Sequence, residues 1–244
     1  MLFLNRRHDQ HEMGENMSES PGNLEIRKEA RNGRFSAALS PDGCPRPLYD
    51  EVLCETRECV VTPTLGAIVP FWFLVIPRIS SANFVEWRGK TGVDPALVVG
   101  DILRAQKIDP DRAIWFEHGP RQQGSQLGCG VDHAHLHVVV DAPFLFEDFV
   151  AEAMAASGVN WRDQSTERAY RSIGDGTSYL AAMSMEQAVI AEQVEHVGSQ
   201  FFRRVIARLV GRPNSWDYKV HPHLENVEST IAAFNSRAKQ LAVA

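Results

Sequence analysis

The run Gly128-Cys129-Gly130-Val131-Asp132-His133-Ala134-His135-Leu136-His137-Val138-Val139-Val140 puts three of the chain's nine histidines at every second position. On an extended strand successive side chains alternate faces, so His133, His135 and His137 share one face while Ala134, Leu136 and Val138 turn to the other. At about 3.3 Å per residue the outer two are ~13 Å apart along the backbone. That spread suits three ligands of one zinc ion poorly, since each must reach the metal at about 2.1 Å, and suits an extended anion such as a phosphate chain. A neutral imidazole, with an ordinary pKa of about 6.5, is a competent nucleophile at phosphorus near neutral pH, and its neighbours can donate N–H groups to anionic oxygens. The spacing therefore predicts one histidine that attacks and two that hold. Gly128, Cys129 and Gly130 allow close backbone approach, so their N–H groups are candidate donors to the same anion.

Elements that must position these residues follow from periodicity. Short segments rich in β-branched and aromatic residues at 51–55, 59–62, 71–76, 113–116 and 135–140, separated by Pro- and Gly-bearing turns, predict five strands. Asp94 and Pro95 open a helix over 95–104, the one helix expected to cross this sheet. From residue 146 the chain changes character. An Ala-rich stretch from Ala151 to Ala156 ends at Gly158, and Phe202, Val205, Ile206 and Leu209 mark a helix over 200–209 with Ser199 as its N-cap. A last helix follows Pro222, with Leu224, Val227, Ile231, Phe234, Ala238 and Leu241 on one stripe. Segments 178–183 and 188–194 read as strand or helix, because their alanines leave both open. Residues 1–25 show little apolar periodicity and are expected to be a mobile tail. The resulting division is tail 1–25, core 26–145 and extension 146–244.

Composition narrows the function classes. The chain has 244 residues, 44% of them hydrophobic and 23% charged, with a net charge of -6. A globular protein of this balance has no general attraction to nucleic acid or anionic membrane, and no apolar run approaches the roughly 20 residues of a bilayer span. Cys44, Cys54, Cys59 and Cys129 show no CxxC spacing, so no cysteine zinc finger and no disulfide framework is expected, and a reducing, cytoplasmic setting is.

The sequence resembles the histidine triad (HIT) superfamily of nucleotide hydrolases and transferases through His133-Ala134-His135-Leu136-His137 and the apolar residues after it. Upstream, Leu53-Cys54-Glu55-Thr56, Thr64-Leu65-Gly66-Ala67-Ile68-Val69-Pro70 and Leu74-Val75-Ile76-Pro77-Arg78 look like the family's early strands. Phe116-Glu117-His118-Gly119 lies where the family has an Asn-x-Gly turn, so the resemblance covers roughly residues 48–141. It implies an α+β fold with a HIT-like five-stranded antiparallel sheet and helices, to which this chain adds a mainly helical C-terminal extension packed on the core.

The resemblance also implies an enzyme with assigned roles. His135 would attack the α-phosphorus of a nucleotidyl substrate to form a nucleotidyl-histidine intermediate, His133 would orient it, and His137 would contact phosphate oxygens. Gly128, Cys129, Gly130, Glu117 and His118 would bind nucleotide or phosphate, with no metal or other cofactor required and magnesium arriving, if at all, with the substrate phosphates. The implied partners are a nucleotide-containing small molecule and a second copy of the chain in a homodimer, with no nucleic acid and no membrane. Hydrolysis is the favoured reaction. The alternatives are a nucleotidyltransferase or phosphorylase using the same intermediate, and a non-catalytic nucleotide-binding module. The chain departs from the family pattern at Gly128-Cys129-Gly130, where Gly-Gln-Ser or Gly-Gln-Thr is usual, at Glu117, and at Arg78-Ile79-Ser80.

Three further features have plainer readings. Arg203, Arg204, Arg208 and Arg212, beside Ser199 and Gln200, suggest a phosphate site at a helix N-terminus, although a solvated helix face is the commoner cause of such a run. His221-Pro222-His223 reads as the lead-in to a helix, and Trp161 and Trp216 as packing residues of the extension.

Overall fold

The computed structural model describes residues 35–40, 46–123 and 133–243. The expected tail 1–25 and the Gly128-Cys129-Gly130 segment lie outside them.

All five predicted strands form: β1 (Cys54–Glu55), β2 (Cys59–Pro63), β3 (Trp72–Pro77), β4 (Ala113–Gly119) and β5 (Leu136–Val140). Three more follow in the C-terminal part, β6 (Arg162–Ser165), β7 (Tyr179–Met183) and β8 (Gln187–Glu192). Together they make one antiparallel sheet in the order β1-β2-β3-β5-β4-β7-β8-β6. This corrects the expected five-stranded HIT-like sheet, and it corrects the expectation that the extension is mainly helical. The physical reason is the edge of β4. Its backbone groups from Trp115 to Gly119 would end a five-stranded sheet unpaired, and β7 takes them up in register Trp115↔Met183 through Gly119↔Tyr179. The alanines that obscured this segment, Ala181, Ala182, Ala188 and Ala191, are all fully buried in strands whose two faces are both covered.

Six α-helices lie among the described residues. On one face, α1 (Phe84–Thr91), α2 (Pro95–Ala105), α4 (Ala169–Ser172) and α6 (Leu224–Val243) bring Phe84, Trp87, Ile102, Tyr170 and Phe234 onto Phe73, Val75, Trp115 and Val138. The opposite face carries α3 (Phe146–Ser157) and α5 (Phe201–Leu209), whose Phe149, Phe202, Val205 and Ile206 pack on Trp72, Phe116, Val139 and Leu180. Residues 35–40 lie on the same face, with Phe35 and Leu39 against Val60, Leu74 and Ile76.

Local capping explains several helix starts. Asp94 accepts from Ala96 N–H at 3.1 Å, as the sequence predicts. The sequence reading has one helix between β3 and β4, whereas there are two. In α1, which it misses, Asn83 Oδ1 accepts from Glu86 N–H while Glu86 Oε2 accepts from Ala82 N–H, both at 2.8 Å. Helix α5 begins differently from the expected Ser199 cap. Gln200 is the N-cap, at φ 56°, and no side chain caps the helix.

Candidate functional site: a histidine cleft walled by α5

The site is built where β4 and β5 run side by side. Phe116 pairs with His137 in register, so both side chains emerge on the face covered by α5. The Phe116 ring lies parallel to the His137 imidazole at 5.1 Å, and Phe202 closes on Phe116 at 4.8 Å. A small cleft opens there, lined by Phe116, His118, His135, His137, Gln200, Phe201, Phe202 and Arg203. Half of its lining comes from α5 and its N-cap.

Of the three alternating histidines only His137 belongs to a strand; His133 and His135 precede β5. Hydrogen bonds to groups of fixed character set each proton. A carbonyl oxygen only accepts, so the 2.9 Å contact between His135 Nδ1 and the His133 carbonyl puts the neutral ring's proton on Nδ1 and the lone pair on Nε2. An indole N–H only donates, so Trp72 Nε1 at 3.1 Å makes His137 Nδ1 the acceptor and leaves the proton on Nε2. His133 Nε2 donates to the Pro77 carbonyl at 2.7 Å. Its imidazole is thus committed to the end of β3, and it is the His133 backbone, not its ring, that orients His135. The His135 and His137 rings meet edge to face at 5.1 Å, and Phe35 sets its edge against His135 at 5.3 Å and His133 at 6.1 Å.

Burial keeps most of these imidazoles uncharged. His137 is held well below the ordinary histidine value, by burial first and by the charges of His135 and Arg203 second. His118 is pushed down to about 4 by burial, with Arg204 and His135 adding to the effect. Burial also lowers His133, despite its bond to Pro77. A neutral ring at pH 7 offers one N–H and one lone pair, so an imidazole such as His137 can donate to an anion.

Glu117 and His118, adjacent in sequence, part company. His118 lines the cleft, whereas Glu117 points through the sheet to the other face, where its carboxylate accepts from Phe84 N–H at 2.9 Å and from the Tyr179 hydroxyl. Burial raises Glu117 to about 7. The structure therefore brings His118, His135 and His137 together and leaves Glu117 beneath them. Gly119 completes the arrangement, since a Cβ there would run into the Tyr179 ring.

No family model matches the chain, and no curated protein matches it. Part of it is similar to a solved yeast structure, an Ap4A phosphorylase. That likeness has a TM-score of 0.31 at 14% identity and covers 56% of this chain and 56% of that one.

Trp72 is absent from the sequence reading, and its strand alternation with Leu74 and Ile76 is the signal that would have placed it beside His137. Arg203 belongs to the arginine run whose commoner cause is a solvated helix face. It is 5% exposed, far from a solvated helix face, and donates to the carbonyls of Leu65 (2.7 Å) and Gly66, with its guanidinium 5.0 Å from the Trp72 ring centre and 5.4 Å from that of Tyr218. Arg204 turns back on the Ser199 and Gly198 carbonyls, and Arg208 pairs with Glu152. Among the described residues no three His, Cys, Asp or Glu side chains are grouped to hold a metal ion. Cys54 and Cys59 are buried in the sheet, where burial pushes the Cys54 thiol up to about 12.

Proposed function

We propose that the chain is a nucleotide hydrolase that cleaves a nucleoside monophosphate group from a nucleotidyl substrate through a nucleotidyl-histidine intermediate on His135. The observation that carries this reading is the hydrogen bond from His135 Nδ1–H to the His133 carbonyl. With Nδ1 protonated, the Nε2 lone pair is the nucleophile, and the carbonyl stabilises the positive charge the ring acquires when Nε2 bonds to phosphorus.

In the first step the Nε2–P bond forms as the bond from phosphorus to the leaving group breaks, its electron pair departing with the leaving group, which takes a proton from solvent. In the second, water attacks phosphorus and loses a proton to solvent, and the P–N electron pair returns to Nε2. His137 Nε2–H serves as donor to a non-bridging phosphate oxygen, in the tautomer that Trp72 selects. Gly128, Cys129 and Gly130 are assigned as further backbone donors on their sequence pattern, and Glu117 supports the site from beneath. The scheme needs no metal held by the protein, and a polyphosphate substrate is free to bring magnesium.

A product assay of the full chain and His135→Ala tests this, using adenylated and guanylated dinucleoside polyphosphates, phosphoramidates and nucleotide sugars. Wild type is expected to release a nucleoside monophosphate and to retain labelled nucleotide after denaturation, and His135→Ala to lose turnover by about 10³-fold or more while still binding. Turnover by His135→Ala near wild type would overturn the nucleophile. Release only on adding an acceptor other than water would make the protein a transferase or phosphorylase, and tight binding without turnover a nucleotide-binding module.

A further inference from the structure

His137 stands between two covers on one face of the sheet. On the β4 side lies α5, and the cleft beneath it has room for about one water. On the β3 side lies the segment 35–40, seated over Leu74, which pairs with His137 in register. A nucleotide reaches His135 only if one cover moves. Helix α5 is fixed, because Phe202, Val205 and Ile206 share one buried cluster with Val139, Phe149 and Leu180, and Arg203 donates to the Leu65 and Gly66 carbonyls. The segment 35–40 is held differently. Phe35, Ala38 and Leu39 rest on Val60, Leu74 and Ile76, and among the described residues the segment pairs with no strand. Leu39 N–H donates to the Phe35 carbonyl at 3.0 Å, Ser40 Oγ to the Ser36 carbonyl at 2.6 Å, and Arg46 to the Ala37 and Ser40 carbonyls at 3.0 and 2.8 Å. The segment can leave the sheet with all of these bonds intact. Two details of the covered face favour opening. Phe35 lays its ring edge on His135 at 5.3 Å, against the imidazole assigned as nucleophile. Thr62, in register with Leu74 on the same face, is fully buried with its hydroxyl unpaired, a cost that a valine of the same shape would avoid and that wetting removes.

We propose that residues 35–40 are an autoinhibitory lid, which shields His135 with Phe35 and must lift off β2 and β3 before substrate enters. Opening is a pre-equilibrium, so the apparent affinity for substrate is reduced to the fraction of molecules that are open. What enters rests on the nucleotide reading given above, whereas the opening itself rests on packing.

Carbethoxylation of the full chain by diethyl pyrocarbonate, followed at each histidine by peptide mass spectrometry, tests the lid without any nucleotide. His135 is half-buried beside Phe35, and His137, buried and stacked on Phe116, is the internal control. Phe35→Ala should speed modification of His135 about tenfold, the worth of one edge-to-face ring contact, and leave His137 unchanged. Arg46→Ala, which unpins the turn and spares the apolar contacts, should act in the same direction. In wild type the Leu39 amide should exchange with deuterium at least about 100-fold faster than the amides of β3 and β5, and equal protection overturns the lid with no variant needed. His135 unaccelerated in both variants, or His135 and His137 accelerated together in both, overturns it as well. In the product assay Phe35→Ala should lower KM about tenfold with kcat little changed. Selective exposure of His135 with no nucleotide turned over keeps the lid and overturns the nucleotide reading. Turnover through His135 with its exposure unchanged overturns the lid and leaves that reading standing.

Discussion

At the scale of single residues, the site turns on which ring nitrogen holds a proton. His135 and His137 are chemically identical, yet one is given an Nε2 lone pair by a backbone acceptor and the other an Nε2–H by an indole donor. A nucleophile and an electrophilic partner are thereby made from the same residue type by their hydrogen-bond partners. Trp72 is the residue that enforces the difference. Trp72→Phe removes the indole donor, leaves His137 Nδ1 buried and unpaired, and lets that ring adopt either tautomer. We expect kcat to fall about tenfold with little change in KM, and stability to fall by about 1–3 kcal/mol, read by steady-state kinetics and urea unfolding. A fall in stability with kcat unchanged would make Trp72 a packing residue only.

Among the elements, β4 carries consecutive residues to opposite environments: Phe116 and His118 to the cleft, Glu117 to the pocket between α1 and β7. A buried carboxyl whose value is raised to about 7, against 4.5 when exposed, binds its proton more tightly in the folded state. Its contribution to stability is therefore full below pH 4.5 and is lost as pH rises through about 7, leaving a deficit of about 3 kcal/mol in alkaline solution. Glu117→Gln should accordingly stabilise the protein at pH 8 by up to that amount and have little effect at pH 5, as measured by urea unfolding at both. Equal effects at the two values would mean that Glu117 ionises normally. The turn between β2 and β3 plays a different part. Gly66, at φ 72°, has no room for a Cβ beside Tyr218; its carbonyl receives Arg203 and its N–H donates to the Pro222 carbonyl at 2.8 Å. Asn226 Nδ2 donates to the Ala67 carbonyl at 2.7 Å. Helices α5 and α6 are thus clasped to one four-residue turn of the N-terminal strands.

For the molecule as a whole, the consequence is that the chain after residue 146 finishes the sheet and the cleft alike. It supplies β7 to the open edge of β4, Phe149 and Phe202 to the face that holds His137, and the first turn of α5 to the cleft wall. A fragment ending at residue 145 would bare the β4 edge together with the apolar face around Trp72 and Phe116, the conditions under which sheets associate. We expect it to aggregate, seen as void-volume elution in size-exclusion chromatography. A monomeric fragment with cooperative unfolding would show instead that residues 46–145 hold their own core.

What the sequence determined by itself was local. Alternating histidines, β-branched runs, Asp94-Pro95 and the stripe from Leu224 to Leu241 announce strands and helices because those patterns act within a few residues. Even the first-turn residues of α5 stood out beside the arginine run. The tertiary structure decided everything that depends on pairing distant segments. The sheet has eight strands because β7 found the edge of β4, which no property of an alanine-rich segment reveals. Arg203 is buried because two carbonyls 137 and 138 residues away wait for it. Glu117 and His118 serve opposite faces because strand register, not adjacency, sets what a side chain meets. The tautomer of His137 came from Trp72, 65 residues distant, and a proton's place is a matter of contact that sequence spacing does not encode.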